Sequence, residues 1–106
     1  MRSIVLTFLF FMSPNMVLAA FLSGNQLKQE LDQHSASGRL YVAGVVDTFA
    51  AAEKIGKNKM CFPDSGTLSQ AEAVILKYLN DNPQDLHWPA SYLAIYALSQ
   101  AFPCKK

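Results

Sequence analysis

Residues 61–70 read CFPDSGTLSQ, and the two halves of that stretch call for different structures. Pro63 disfavours helical backbone at Phe62, so Met60 to Pro63 reads as extended chain. Asp64, Ser65 and Gly66 are turn residues. Thr67 followed by Gln70 is a capping box, the reciprocal side-chain pairing that opens a helix. The stretch is thus an extended arm that begins with a cysteine and hands over to a helix start. The chain has one other cysteine, Cys104. Whether Cys61 is a nucleophile, a metal ligand or half of a cross-link turns on the compartment.

The N-terminus speaks to that. Met1-Arg2-Ser3 is a short positive start, IVLTFLFFM at 4–12 is an uncharged apolar run, and Ser13-Pro14-Asn15 breaks it. Val17 and Ala19 then occupy the −3 and −1 positions of a cleavage site, which completes the pattern of a secretory signal peptide over residues 1–20. Cleavage is expected after Ala19 or Ala20. The apolar run is much shorter than the ~20 residues that span a bilayer, so a retained anchor is the weaker reading. An exported chain meets an oxidising environment, where paired cysteines form disulfides, and two cysteines allow one intramolecular pairing. A metal site needs three or four ligands at short spacing. Here the cysteines are far apart, and His34 and His87 neighbour neither. A cysteine nucleophile needs an activating partner and a reason to stay reduced. Cys61 therefore reads as a staple to Cys104.

After cleavage, about 86 residues remain (21–106), enough for one domain with a small core. Without Arg2 the chain carries eight Lys and Arg against eight Asp and Glu, a balance near zero. No basic stripe and no interleaved aromatic platform marks a nucleic-acid binder. Lys54, Lys57, Lys59 and the terminal Lys105-Lys106 read as solvated charge.

The rest of the chain reads as helices. Ser23 with Gln26 is a second capping box, and Leu27 and Leu31 share the face of a first helix ending near His34. A second helix is expected from Gly38 to Lys54, capped by Ser37, with Tyr41, Val42, Val45, Val46 and Phe49 as its apolar stripe. Val45-Val46 alone also suits a strand, but the Ala50-Ala51-Ala52 stretch favours helix. Gly38 and Gly44 suggest close packing of another helix, and Gly56 a helix end. Leu68, Ala71, Ile75, Tyr78 and Leu79 recur at helical spacing, with Glu72 and Lys77 on the other side. Asn80-Asp81-Asn82-Pro83 breaks the chain before a helical turn through Leu86, and Pro89 is placed as the first residue of a last helix. That helix is apolar or aromatic from Tyr92 to Leu98, which predicts either a central buried helix or a dimer seam. The expected fold is all-α: a small bundle of four to five short helices with one intramolecular disulfide.

No catalytic constellation is apparent. Asp47, Glu53, Asp64 and Glu72 form no recognisable pair, and there is no nucleophile elbow, no His-Glu-x-x-His and no phosphate loop. Neither a cofactor nor a metal is implied, so elimination favours binding over catalysis.

The motifs in order are GRLYVAGVVD at 38–47, CFP at 61–63, TLSQ at 67–70, KYL at 77–79, NP at 82–83, LHWPA at 86–90 and AFPC at 101–104. This series resembles the Tai-type (Rap/Tai) immunity proteins of type VI secretion over Leu22 to Cys104. The resemblance implies a periplasmic, non-enzymatic, dimeric helical protein. Its partner would be a secreted amidase effector that cuts peptide crosslinks in peptidoglycan, and whose active site it would occlude, in part with a protruding loop. It also implies an intramolecular disulfide that falls on Cys61 and Cys104. The candidate loops are Gly56 to Lys59 and the polar break containing Asn80, Asp81, Asn82, Gln84, Asp85, His87 and Trp88. Trp88, the single tryptophan, reads either as an interface hot spot or as a plug in the core. His87 reads as capping or packing the last helix, or as a partner contact. Asp81, Gln84 and Asp85 read as solvated, their charge steering association if the interface lies there. The competing function is a small periplasmic acid-stress chaperone, which would expose apolar surface as its carboxylates protonate.

Overall fold

The computed structural model describes residues 22–54 and 60–104. The segment read as a signal peptide, the helix end expected at Gly56, the loop Gly56–Lys59 and the Lys105-Lys106 pair lie outside the described residues. Four α-helices follow one another: α1 Gly24–Asp32, α2 Ala36–Lys54, α3 Leu68–Asp81 and α4 Ala90–Ala101, with a 3-10 turn at Pro83–Asp85. Among the described residues there is no strand, only two isolated antiparallel bridges, Ser23 with Pro89 and Met60 with Pro103. Every helix packs on the other three.

Both capping boxes form. Ser23 accepts from the Gln26 N–H while Gln26 reaches back to the Ser23 N–H, and Thr67 and Gln70 do the same. Each satisfies two backbone donors that a helix start leaves open. α1 ends at Asp32, slightly before the expected His34. His34 instead takes left-handed backbone, φ 53°. The His34 N–H bonds Leu31 O and the Ser35 N–H bonds Glu30 O, the paired closure of a Schellman motif, here without the usual glycine.

α2 begins at Ala36, earlier than expected, and its cap is Ser35 rather than Ser37. Ser35 Oγ accepts from the Gly38 N–H at 3.0 Å and donates to Glu30 Oε1. Ser37 only donates to the same Glu30 oxygen, at 3.3 Å. Both serines bond Glu30, so what makes Ser35 the cap is the Gly38 N–H that its hydroxyl accepts. The two glycines of α2 also part company. A Cβ on Gly38 would lie 2.9 Å from Glu30 Cβ, so α1 and α2 touch there as expected. A Cβ on Gly44 would meet nothing within 4 Å, which overturns the packing role for that residue.

The core is built from one stripe of each helix: Leu27 and Leu31 of α1, Val42 of α2, Ala71, Ile75 and Leu79 of α3, and Leu93, Ala94, Ala97 and Leu98 of α4. Each fully buried Leu or Ile contributes about 2 kcal/mol. Glu72, expected on the solvent side of α3, faces α2 instead. The Arg39 guanidinium donates to both its carboxylate oxygens, at 3.2 and 3.1 Å. That bridge is half open to water and is worth less than about 1 kcal/mol.

The extended arm forms as read. Met60 is buried, the Cys61 N–H donates to Phe102 O at 2.8 Å, and Phe62 meets Phe102 edge to face at 5.0 Å. Cys61 and Cys104 are bonded, with their Cα atoms 4.9 Å apart and a sequence separation of 43. The arm before α3 and the exit of α4 are therefore one covalent unit. In the chain-entropy account, closing this loop contributes about 4 kcal/mol.

Two stability tests follow from this packing. Denaturant unfolding of oxidised Cys61→Ser should show a loss of about 4 kcal/mol; a wild-type midpoint would mean that the staple adds nothing to the fold. Gly44→Ala should raise stability by about 1 kcal/mol, because it removes a mid-helix glycine into open space. Gly38→Ala should lower it by about 1–3 kcal/mol, because the new methyl overpacks Glu30. Equal responses at the two glycines would contradict the α1–α2 contact.

Candidate functional site

α4 does not behave as its composition suggests. A residue-by-residue apolar run predicts burial all round, yet Tyr92 is 60% exposed and Tyr96 48%. The reason is geometric. Successive residues advance about 100° around a helix, and α4 turns only one side to its neighbours. Ala90, Leu93, Ala94, Ala97 and Leu98 fill that side. The small alanines let α3 approach, and the tyrosines are left outside.

Trp88, at the entrance of α4, extends the same row. It is 46% exposed, which decides against the core-plug reading. Its ring lies 5.8 Å from Tyr92, and Tyr96 meets Tyr78 of α3 edge to face at 5.5 Å. Residues 88, 92 and 96 are spaced four apart, so they rise as one ladder up the outside of α4.

The main chain beneath the ladder is clamped. The Gly24 N–H donates to Trp88 O at 2.8 Å, the Asn25 N–H to Leu86 O at 2.9 Å, and the Ala90 N–H to Leu22 O at 2.7 Å. These bonds satisfy open donors at the starts of α1 and α4 and hold the turn from Leu86 to Ala90 against α1. Only a glycine fits at 24, where a Cβ would lie 2.9 Å from Leu86 O. Pro89 is the residue before the first turn of α4, one position earlier than expected, and its backbone is extended where it pairs with Ser23.

The residues expected at a partner surface lie around this ladder. Asn80 and Asp81 are exposed on the last turn of α3, and Asp81 pairs with Lys77 at 2.7 Å. That hydrogen bond and the Asp81 charge hold the Lys77 ammonium above its ordinary range. Asn82 Nδ2 donates to Tyr78 O at 2.9 Å, and its Oδ1 accepts from Gln84 Nε2 at 3.3 Å. Asp85 Oδ2 accepts from the Tyr78 hydroxyl at 3.3 Å. His87 is exposed with its ring 5.2 Å from Trp88, and it does not cap α4.

Three grooves adjoin along this face. One of about 330 Å³ runs between α3 and α4 beside Lys77, Tyr78, Asp81 and Asn82. A second of about 330 Å³ is lined by Tyr78, Asp85, Trp88, Tyr92, Leu93 and Tyr96. A third of about 510 Å³, almost wholly apolar, is lined by Trp88, Pro89, Ser91, Tyr92 and Ile95. The expected set thus contributes Asp81, Asn82, Asp85 and Trp88 to grooves, and the structure adds Tyr78, Tyr92 and Tyr96. The signal for Tyr92 and Tyr96 was their four-residue spacing from Trp88, which the apolar run around them masked; Tyr78 read only as part of the apolar spacing of α3. Among the described residues no helix is long and apolar enough to cross a membrane, and no cluster of ligating side chains could hold a metal ion.

Against this geometry, residues 20–104 match the family model of Rap1a immunity proteins. The chain belongs to the Rap1a immunity protein family. The match spans all the described residues, so the four helices, the disulfide and the aromatic face lie inside the family domain. No curated protein and no solved structure matches the chain. Membership in a family of immunity proteins makes a partner-binding surface the feature to find.

Burial first, and then the Asp85 carboxylate, push the Tyr78 phenol above its ordinary range. A phenol kept neutral by the fold contributes stability that is complete below the ordinary tyrosine range. That stability is lost as pH rises through the raised value. A phenolate-absorbance titration, with Tyr78→Phe as the subtraction control, should place the Tyr78 midpoint above the ordinary value, and Asp85→Asn should bring it down. A midpoint indifferent to Asp85→Asn would mean that the two groups do not meet.

Proposed function

We propose that this chain is a periplasmic, non-enzymatic inhibitor of a type VI secreted peptidoglycan amidase, and that it occludes the amidase active site. Residues 1–20 would be its export signal and 21–106 the working domain. Family membership supports the immunity role, and the exposed ladder of Trp88, Tyr92 and Tyr96 is the observation that carries the choice of face. Tryptophan and tyrosine dominate interface hot spots because they bring large contact area with few torsions to immobilise. A ladder of this kind on a clamped helix is already in position before the partner arrives, which lowers the ordering cost of binding.

The polar break supplies the rim. Asn80, Asp81, Asn82, Gln84, Asp85 and His87 surround the aromatic rows, where exposed charge governs approach and register more than affinity. The same face of α4 has a competing use, the seam of a homodimer, and the two uses predict different outcomes.

Purified, oxidised residues 21–106 should abolish peptidoglycan cleavage by the amidase encoded beside it, at one-to-one stoichiometry and neutral pH. Trp88→Ala and Tyr92→Ala should each weaken inhibition by about 30-fold or more, as hot-spot residues do, while sedimentation stays that of wild type. Loss of a dimer on Tyr92→Ala with inhibition intact would assign the face to self-association. Absence of both inhibition and complex would remove the inhibitor reading and favour the acid-stress chaperone.

A further inference from the structure

The groove between Tyr78, Trp88, Tyr92 and Tyr96 contains a carboxylate, and this makes it chemically unlike its apolar neighbour. Tyr78 and Tyr96 meet at 74° and 5.5 Å, and Trp88 and Tyr92 at 41° and 5.8 Å, so ring faces and edges enclose the space from several directions. Asp85 lines the same space, of about 330 Å³. Its only side-chain partner among the described residues is the Tyr78 hydroxyl, at 3.3 Å. The ion pairs among the described residues use Asp32, Glu72 and Asp81, and none uses Asp85.

We infer that these four rings and Asp85 form an aromatic cage for a cationic side chain of the effector, a lysine ammonium or an arginine guanidinium. This rests on the reading above that the face meets an effector. Ring faces carry negative potential and attract cations placed over them. The carboxylate adds a charge-assisted hydrogen bond. A neutral side chain seated there would cover Asp85 and leave it with no partner except a neutral phenol, which opposes binding. A cation satisfies both the rings and the acid, and the neighbouring groove along Trp88, Pro89 and Ile95 is left for an apolar anchor. The cage is also preformed. The Trp88 N–H donates to Asp85 O at 2.9 Å, and the Tyr96 hydroxyl accepts from Gln100 Nε2 at 3.0 Å.

Trp88 is the single tryptophan and lines both this groove and its apolar neighbour, so indole emission reports on the pair and Asp85→Asn tells them apart. The probes are N-acetyl-lysine amide and N-acetyl-arginine amide, with N-acetyl-norleucine amide as the uncharged match. Titrated into the oxidised mature protein, at least one cationic probe should change Trp88 emission saturably and more strongly than the norleucine probe, which has only the apolar groove to enter. Asp85→Asn should weaken the cationic probe about fivefold or more. Tyr92→Leu, which keeps an apolar side chain but removes a ring face, should weaken it as well. No saturable change, an equal response to norleucine, or indifference to Asp85→Asn would overturn the cage. In the second arm, Asp85→Asn should weaken the effector complex about tenfold, with a smaller salt dependence than wild type. A wild-type protein that inhibits while Asp85→Asn changes nothing would overturn the cationic occupant and leave the inhibitor reading standing. A wild-type protein that binds no effector would remove the inhibitor reading, and this occupant with it, whatever the probes show.

Discussion

The backbone bonds from Gly24, Asn25 and Ala90 fix the entrance of α4, and the Cys61–Cys104 bond with the Met60–Pro103 bridge fixes its exit. A helix of twelve residues is too short to hold itself together in water. Here both ends are tied to other parts of the chain, so the helix cannot fray toward either side. Each tie also joins segments distant in sequence: the start of α1 meets the turn before α4, and the arm before α3 meets the tail after it. A domain this small has little apolar area to bury, and cross-links of this kind supply what its core cannot.

The inner side of α4 mixes three alanines with Leu93 and Leu98, while its aromatic side chains stand on the outer side. Ala90, Ala94 and Ala97 allow close approach of α3, while Tyr92 and Tyr96 stand in solvent with Trp88. The tyrosines keep their polar tips in water and lay their rings against one another or against Tyr78, which moderates the exposure without removing it. Exposed aromatic rows on a rigid element are an aggregation hazard unless something covers them at work. This makes the row the economical place to look for a binding surface, and it accounts for a helix apolar by composition keeping one side in solvent.

Most of the framework was legible in local chemistry. The two capping boxes, the proline-directed arm, the turn at Asp64 to Gly66 and the single possible cysteine pairing all act over a few residues, and each appears where its residues predicted it. What was not legible needed a neighbour. Ser37 reads as the cap in sequence, but the chain leaves α1 through His34 and Ser35, and it is Ser35 whose hydroxyl accepts the Gly38 N–H. Gly38 and Gly44 sit in the same helix, yet α1 crosses at one and not at the other. Glu72 reads as solvated until Arg39 of α2 is placed beside it. The site was half legible for the same reason. Trp88 stood out in a polar break, Asp85 beside it read as solvated, and Tyr92 and Tyr96 were hidden inside an apolar run whose exposed side is set by how α4 docks.

The polar break itself is less available than its composition suggests. Asp81 is engaged by Lys77, Asn82 by the Tyr78 carbonyl and by Gln84, and Asp85 by the Tyr78 hydroxyl. A partner that recruits Asp81 or Asn82 must break bonds already made, so the net gain from each of these is small. The rings of Trp88, Tyr92 and Tyr96 have no such prior commitment on their outward faces, and covering them removes apolar area from water at about 25 cal/mol per Å². The division of labour that follows is physical. The aromatic ladder supplies most of the binding energy, the break supplies register, and Asp85, held only by a neutral phenol, is the polar group whose bonding most improves when a cation arrives.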